Sequence, residues 1–161
     1  MSLYDALIHA FGSVATGGFS TKNASVGAFA NPWIHYITMA FMLVAGMNFS
    51  LFYKAITLKS LRPIYEDREI RLYLTIILAA ILIIGANLSG ELGFKEALHH
   101  GSFQVVSIIT TTGYATADFD RWPDLSRAVL LLLMFVGGCA GSTAGSIKVV
   151  RYLVVFKSIL R

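Results

Sequence analysis

The sequence predicts an all-α integral membrane protein, on three observations. Of its 161 residues, 56% are hydrophobic and 14% are charged, where a soluble domain carries about a quarter charged. Three apolar segments are long enough to cross a bilayer, which takes about 20 helical residues. Two shorter apolar segments each run into a loop rich in Thr and Gly.

In chain order, the first short segment is Leu3–Val14, followed by ATGGFST. A stretch of this length is too short to cross and fits a re-entrant or interfacial helix. The first span follows, from Pro32 to Tyr53, and the second runs from Ile70 to Leu88. The second short segment, Phe94–Ile109, leads into TTTGYATAD. The third span starts near Leu125 as LSRAVLLLLMFV, breaks at GGCAGSTAGS, and resumes as IKVVRYLVVFKSIL.

Charge sets the orientation. Lys54, Lys59, Arg62, Arg68 and Arg71 lie between the first two spans, and Lys148, Arg151, Lys157 and Arg161 follow the third. The other face carries Lys22, Lys95, Arg121 and Arg127. Basic residues collect on the cytoplasmic side, so the 54–71 link and the C-terminus are expected inside and both Thr/Gly loops in the outer half. Topology thus explains the net charge of +4, and nucleic acid is not an expected partner. The first residues do not read as a signal peptide. With one cysteine, Cys139, the chain can form no internal disulfide.

The order of short helix, Thr/Gly loop and long span occurs twice. At an offset of 96 residues Thr16-Gly17 falls on Thr112-Gly113, and Ser20 on Thr116. No span precedes the first short helix, so the chain is expected to be a fragment that begins within a unit.

Such loops suit a cation. A dehydrated ion needs oxygens in place of water, and backbone carbonyls in a narrow opening supply them. Carbonyls aimed one way need backbone angles that glycine adopts readily, and Thr hydroxyls can extend or brace the ladder. The short helix turns its negative C-terminal end toward the site. The alternative is a pair of external loops with turn glycines.

Residues 137–146 are ten small residues in a row. They suit either a small-residue helix interface along Gly137, Gly141 and Gly145 or an unwound segment that moves in a pore. Lys148 and Arg151 follow at the expected cytoplasmic edge, and Arg151 would sit deeper if the stretch loops. The stretch is no phosphate loop, because Gly145 is followed by Ser146 and Lys148 comes too late. His9, His35, His99 and His100 have no ligand spacing on one helix. Trp33 and Trp122 fit an aromatic belt, and Asn48 and Asn87 fit interhelical hydrogen bonds. With no nucleophile–base pair or carboxylate pair in the apolar segments, an enzyme is not expected.

ATGGFST, SFQVVSIITTTGYATADFDRWP and GGCAGSTAGSIKVVR together resemble the membrane subunit of the Trk/Ktr/HKT superfamily of K⁺ transporters, in its TrkH-like branch, along nearly the whole chain. The resemblance implies a K⁺-channel-like fold of four units in one polypeptide, each a span, pore helix, filter loop and span. Residues 1–53 would be the pore helix, filter loop and following span of the second unit. Residues 54–69 would be a cytoplasmic link, and 70–161 a complete third unit. Thr16, Gly17, Gly18, Thr111, Thr112, Gly113 and Tyr114 would form the filter, with K⁺ held at Thr16, Gly17, Thr112 and Gly113. Filter glycines favour K⁺ over Na⁺. Gly137, Gly138, Gly141, Ser142, Thr143, Gly145, Lys148 and Arg151 would form an intramembrane gate. The resemblance further implies a multi-pass protein of the cell (inner) membrane, and a homodimer in full-length form. Its partner would be a cytosolic nucleotide-binding regulatory subunit, and it would use no cofactor beyond K⁺ as cargo. A Na⁺-permeable relative and a non-conducting helical scaffold subunit are the competing readings.

Overall fold

The computed structural model describes residues 1–159, and these are helical with no sheet; the C-terminal Arg161 counted in the charge bias lies outside them. The helices are α1 (Leu3–Val14), α2 (Pro32–Ala45), α3 (Phe49–Thr57), α4 (Arg62–Tyr65), α5 (Arg68–Leu92), α6 (Phe94–Ile109), α7 (Asp124–Phe135) and α8 (Val149–Ile159). Both short apolar segments are helices with the bounds read from sequence.

The second expected span is longer than its apolar run. Asp67 caps α5 by accepting from the Ile70 amide at 2.9 Å, which supplies an acceptor that the helix start lacks. One stripe of α5, through Ile70, Tyr73, Ile77, Ala80, Ile84 and Leu88, is buried against its neighbours. The opposite stripe is apolar too, with Leu78 and Leu82 about 60% exposed. A helix at a water-facing surface would be polar there, so α5 has the composition of a membrane span. It is long and apolar enough to cross by itself.

The first expected span is not one helix. The chain turns by 89° between α2 and α3. Gly46 ends α2 in close contact with Tyr73 and Thr110, where a Cβ would collide with the Tyr73 hydroxyl. Asn48 then starts α3 by accepting from the Ser50 amide at 2.9 Å. It is a cap, and not the interhelical bond expected of it; Asn87 does make one, donating to Ser126 Oγ on α7 at 2.9 Å. The expected link is also partly helical, since α3 continues to Thr57 and α4 follows.

The third span breaks where its small residues begin. The 137–146 stretch is a loop pinned at its base by Gly137 N–H donating to Ile147 O at 2.9 Å. The helix-interface alternative therefore falls, because Gly137, Gly141 and Gly145 do not share a helical face.

Candidate ion-binding site

Helices α1 and α6 end in the same way. Each has an αR cap, Ala15 or Thr110, then a threonine with positive φ: Thr16 at 51° and Thr111 at 56°. Two residues later stands a glycine with positive φ, Gly18 at 66° and Gly113 at 87°. The Gly17 amide donates to Gly12 O, five residues back, and Thr112 likewise to Ser107 O, both at 2.9 Å. The loops are thus equivalent at an offset of 95, not 96. Gly18, rather than Gly17, matches Gly113, and Thr16 matches Thr111. The slip arose because TGG offers two glycines to one; the aromatic that follows, Phe19 against Tyr114, is the sequence signal for the offset of 95.

The two loops lie against each other. A Cβ on Gly18 would collide with the Thr112 carbonyl oxygen. The Tyr114 hydroxyl donates to Phe19 O at 3.0 Å, and the Tyr114 carbonyl accepts from Ser107 Oγ at 2.6 Å. His9, buried in α1, stacks on the Tyr114 ring with centroids 5.4 Å apart. Its Nδ1 donates to Asp5 O at 2.7 Å, which leaves Nε2 to accept from Ser20 Oγ at 2.9 Å in the neutral ring. Farther along, Gly27 N–H donates to Ala115 O at 3.0 Å. Beside Gly113 a Cβ would meet nothing within 4 Å, so this glycine borders open space while Gly18 borders backbone. Thr110 Oγ1 and Thr112 Oγ1 are 2.8 Å apart and both buried, so these hydroxyls brace the loop from behind.

At the start of α1, Asp5 accepts from Thr21 Oγ1 at 2.5 Å and from Ser2 Oγ at 2.8 Å. These bonds, that of Thr21 first, hold its carboxyl at about 2, below the ordinary 3.8. The histidines, unrelated by spacing in sequence, meet across helices. His35 Nδ1 on α2 lies 2.9 Å from His99 Nε2 on α6, and His100 Nδ1 lies 2.9 Å from Thr116 Oγ1. Among the described residues, no three His, Cys, Asp or Glu side chains converge as a metal site.

The glycine-rich loop packs against the start of both Thr/Gly loops. Thr16 Oγ1 donates to Thr143 O at 3.1 Å, and Thr143 Oγ1 donates to Val14 O at 3.0 Å. Gly145 N–H donates to Thr111 Oγ1 at 2.7 Å. The bend between α2 and α3 receives the loop's other groups. Gly46 O accepts from Cys139 N–H at 2.8 Å, Ala45 O from Thr143 N–H at 3.3 Å, and Gly141 O from Phe49 N–H at 3.2 Å. Helix ends leave carbonyls and amides without partners, and here an irregular segment satisfies them. Small residues are required for that fit. A Cβ on Gly138 would lie 2.6 Å from Gly46 O and 2.8 Å from Ala144 Cβ.

Lys148 folds back over the loop. Its Nζ donates to Ser142 Oγ at 3.1 Å, to Ser142 O at 3.4 Å, and to Ala144 O. Arg151 is exposed on the first turn of α8, so of the two basic residues assigned to the gate, Lys148 is the one bound to it. Sequence reading missed Glu69. Its carboxylate is 7% exposed, and one oxygen, Oε1, accepts from Ala140 N–H at 2.7 Å and from Val150 N–H at 2.9 Å. With Glu66 and Asp67 beside it, Glu69 reads as one of several helix-start charges, and nothing local in the sequence connects it to residues 140 and 150.

Comparison with known proteins accounts for the whole chain. The TrkH family model, described as a cation transport protein, matches residues 1–161. The Trk system potassium uptake protein TrkH of Halomonas elongata is 40% identical over 164 residues, which cover 100% of this chain and 34% of that protein. That of Escherichia coli is 38% identical over 160 residues, 98% of this chain and 33% of that protein. The crystal structure of the potassium transporter TrkH from Vibrio parahaemolyticus superposes with a TM-score of 0.91 at 36% identity, over 97% of this chain and 34% of that one. The chain spans about a third of the length of the curated relatives it matches.

Proposed function

This chain belongs to the TrkH family of cation transport proteins, and we propose from that premise that it forms part of a membrane transporter that passes K⁺. It is a transport protein of the membrane and not an enzyme. The relatives named above are potassium uptake proteins and a potassium transporter, which is why K⁺ is the proposed cargo. The proposed filter wall is the pair of backbone turns at Thr16–Gly18 and Thr111–Tyr114. Their positive-φ glycines, Gly18 and Gly113, allow successive carbonyls to face an ion. Gly17 lies in the same turn, with its own angle in the ordinary range.

The observation that carries this reading is the contact of one glycine-rich loop with both turns, through Thr16 and Thr111. A segment tied to both filter walls blocks the way beneath them, and freeing it opens the way. In this reading the loop of Gly137, Gly138, Gly141, Ser142, Thr143 and Gly145 is the gate. Lys148 holds it folded, and Arg151 adds positive charge on its cytoplasmic side. Residues 1–53 are then the pore helix, filter loop and following span of one unit, and 70–161 the complete next unit, joined by the 54–69 link. The full-length protein is a multi-pass homodimer of the cell (inner) membrane, governed by a cytosolic nucleotide-binding subunit.

Deleting part of the loop, or Arg151→Ala, in the full-length protein tests the gate. Basal K⁺ flux per folded transporter in proteoliposomes should rise in both variants. Flux that stays the same or falls in both would leave a packing element and no gate.

A further inference from the structure

Glu69 stands at the start of α5, outside both proposed filter turns and outside the glycine-rich loop itself. Its side chain is buried, and it faces backbone amides. A carboxylate removed from water needs compensating donors. None of the ion pairs among the described residues involves it. Oε1 instead takes two N–H groups from two different parts of the chain. Ala140 is in the loop and Val150 is in the first turn of α8. The Val150 amide is one of those that a helix start leaves without an intrahelical partner, and the Ala140 amide lies one residue past the buried Cys139. One oxygen therefore joins the rigid α5 to the loop and to the helix that follows it.

We propose that Glu69 is the positioning residue that clasps the glycine-rich loop in its folded form, and that the loop moves only when the two amide bonds to Glu69 Oε1 are given up. This rests on reading the loop as a gate, but the clasp itself is a statement about where the loop sits. Lys148 Nζ also bonds the loop, at Ser142 and Ala144, but it lies just past the loop in the chain, whereas the Glu69 bonds tie the loop to α5. The role depends on reach and on one acceptor atom. An amide oxygen in the same place would still accept both bonds, whereas a shorter carboxylate could not span to both donors.

Cys139 is a native reporter of this state, because it is fully buried and next to the clasped amide. The test is the rate at which a thiol reagent modifies Cys139 in the full-length transporter, read by mass spectrometry of its peptide, in Glu69→Ala, Glu69→Asp and Glu69→Gln. Basal K⁺ flux of the same preparations is measured alongside. Modification should accelerate by about tenfold or more in Glu69→Ala and Glu69→Asp, the ratio expected on losing two hydrogen bonds. Glu69→Gln should stay near the parent rate. If Glu69→Ala does not fold, the contrast between Asp and Gln carries the test. Unchanged protection of Cys139 in folded Glu69→Ala overturns the clasp. So does the reverse order, with Asp protected and Gln exposed, because that order follows charge and not reach. Exposure of Cys139 with unchanged flux supports the clasp and defeats the gate reading on which its function rests.

Discussion

Thr16 and Thr111 stand 95 residues apart in the chain, occupy the same left-handed backbone position, and grip the same loop two residues apart, Thr16 at the Thr143 carbonyl and Thr111 at the Gly145 amide. A non-glycine residue in that conformation costs about 1–2 kcal/mol. Two such residues at matching places indicate that the surrounding structure requires the turn twice. The threonine side chain then serves the loop, while the glycine two residues on takes the second left-handed position of the turn.

The register of the two turns can be tested with three substitutions. Gly18→Ala places a Cβ on the Thr112 carbonyl at a φ of 66°, and it should strongly lower the yield of folded transporter. Gly113→Ala meets open space but is strained at a φ of 87°. It should fold, with a penalty of about 1–2 kcal/mol, and lose K⁺ selectivity over Na⁺. Gly17→Ala meets only the Phe19 ring at 3.3 Å and should be close to neutral in both respects. Severe effects at Gly17 with mild ones at Gly18 would restore the offset of 96. Uptake assays with both ions, normalised to membrane abundance, provide the measurement.

The threonine grips predict that Thr111→Val raises basal flux while Thr111→Ser does not. Valine fills the same volume but leaves the Gly145 amide without its acceptor; because Gly145 is exposed, the loss is that of an ordinary hydrogen bond, about 0.5–1.5 kcal/mol. Serine keeps the oxygen. Equal flux in the two variants, at equal abundance, would separate the grip from gating.

Orientation is open to a direct check. Lys22 and Lys59 are both exposed, and the charge bias puts them on opposite faces. A membrane-impermeant thiol reagent applied outside should modify Lys22→Cys and leave Lys59→Cys untouched. The opposite pattern would invert the topology.

Asp5 supplies a pH dependence. Its carboxyl is held at about 2, below its ordinary value of 3.8, by hydrogen bonds from Thr21 and Ser2. A carboxyl with a lowered value stabilises the folded form above its ordinary range and loses that contribution as pH falls from about 4 toward 2. Thr21→Val removes the largest of these bonds. It should lower thermal stability near neutral pH, with the difference from the parent shrinking through that acidic window. A difference independent of pH would mean that Thr21 acts by packing alone.

The sequence by itself determined the class of the protein and the bounds of its short helices. Apolar length, few charges and the run of small residues are local properties, and a local reading recovers them. It found every residue of the two turns and of the glycine-rich loop, because threonine, glycine and serine mark irregular backbone wherever they cluster. Tertiary structure decided how these pieces meet. The choice between Gly17 and Gly18 was settled by φ, with the aromatics Phe19 and Tyr114 as a weaker sign of the same register in the sequence. The bend at Gly46–Asn48 carried only a weak local mark, a glycine and the cap Asn48 inside an apolar run long enough to cross; the close approach of Tyr73 and Thr110 to Gly46 from other helices is a tertiary contact. Glu69 is joined to residues 71 and 81 positions away, and a backbone amide has no identity that a sequence pattern could carry. Contacts made by side chains to distant backbone are therefore absent from the sequence as a signal, although the sequence folds to make them.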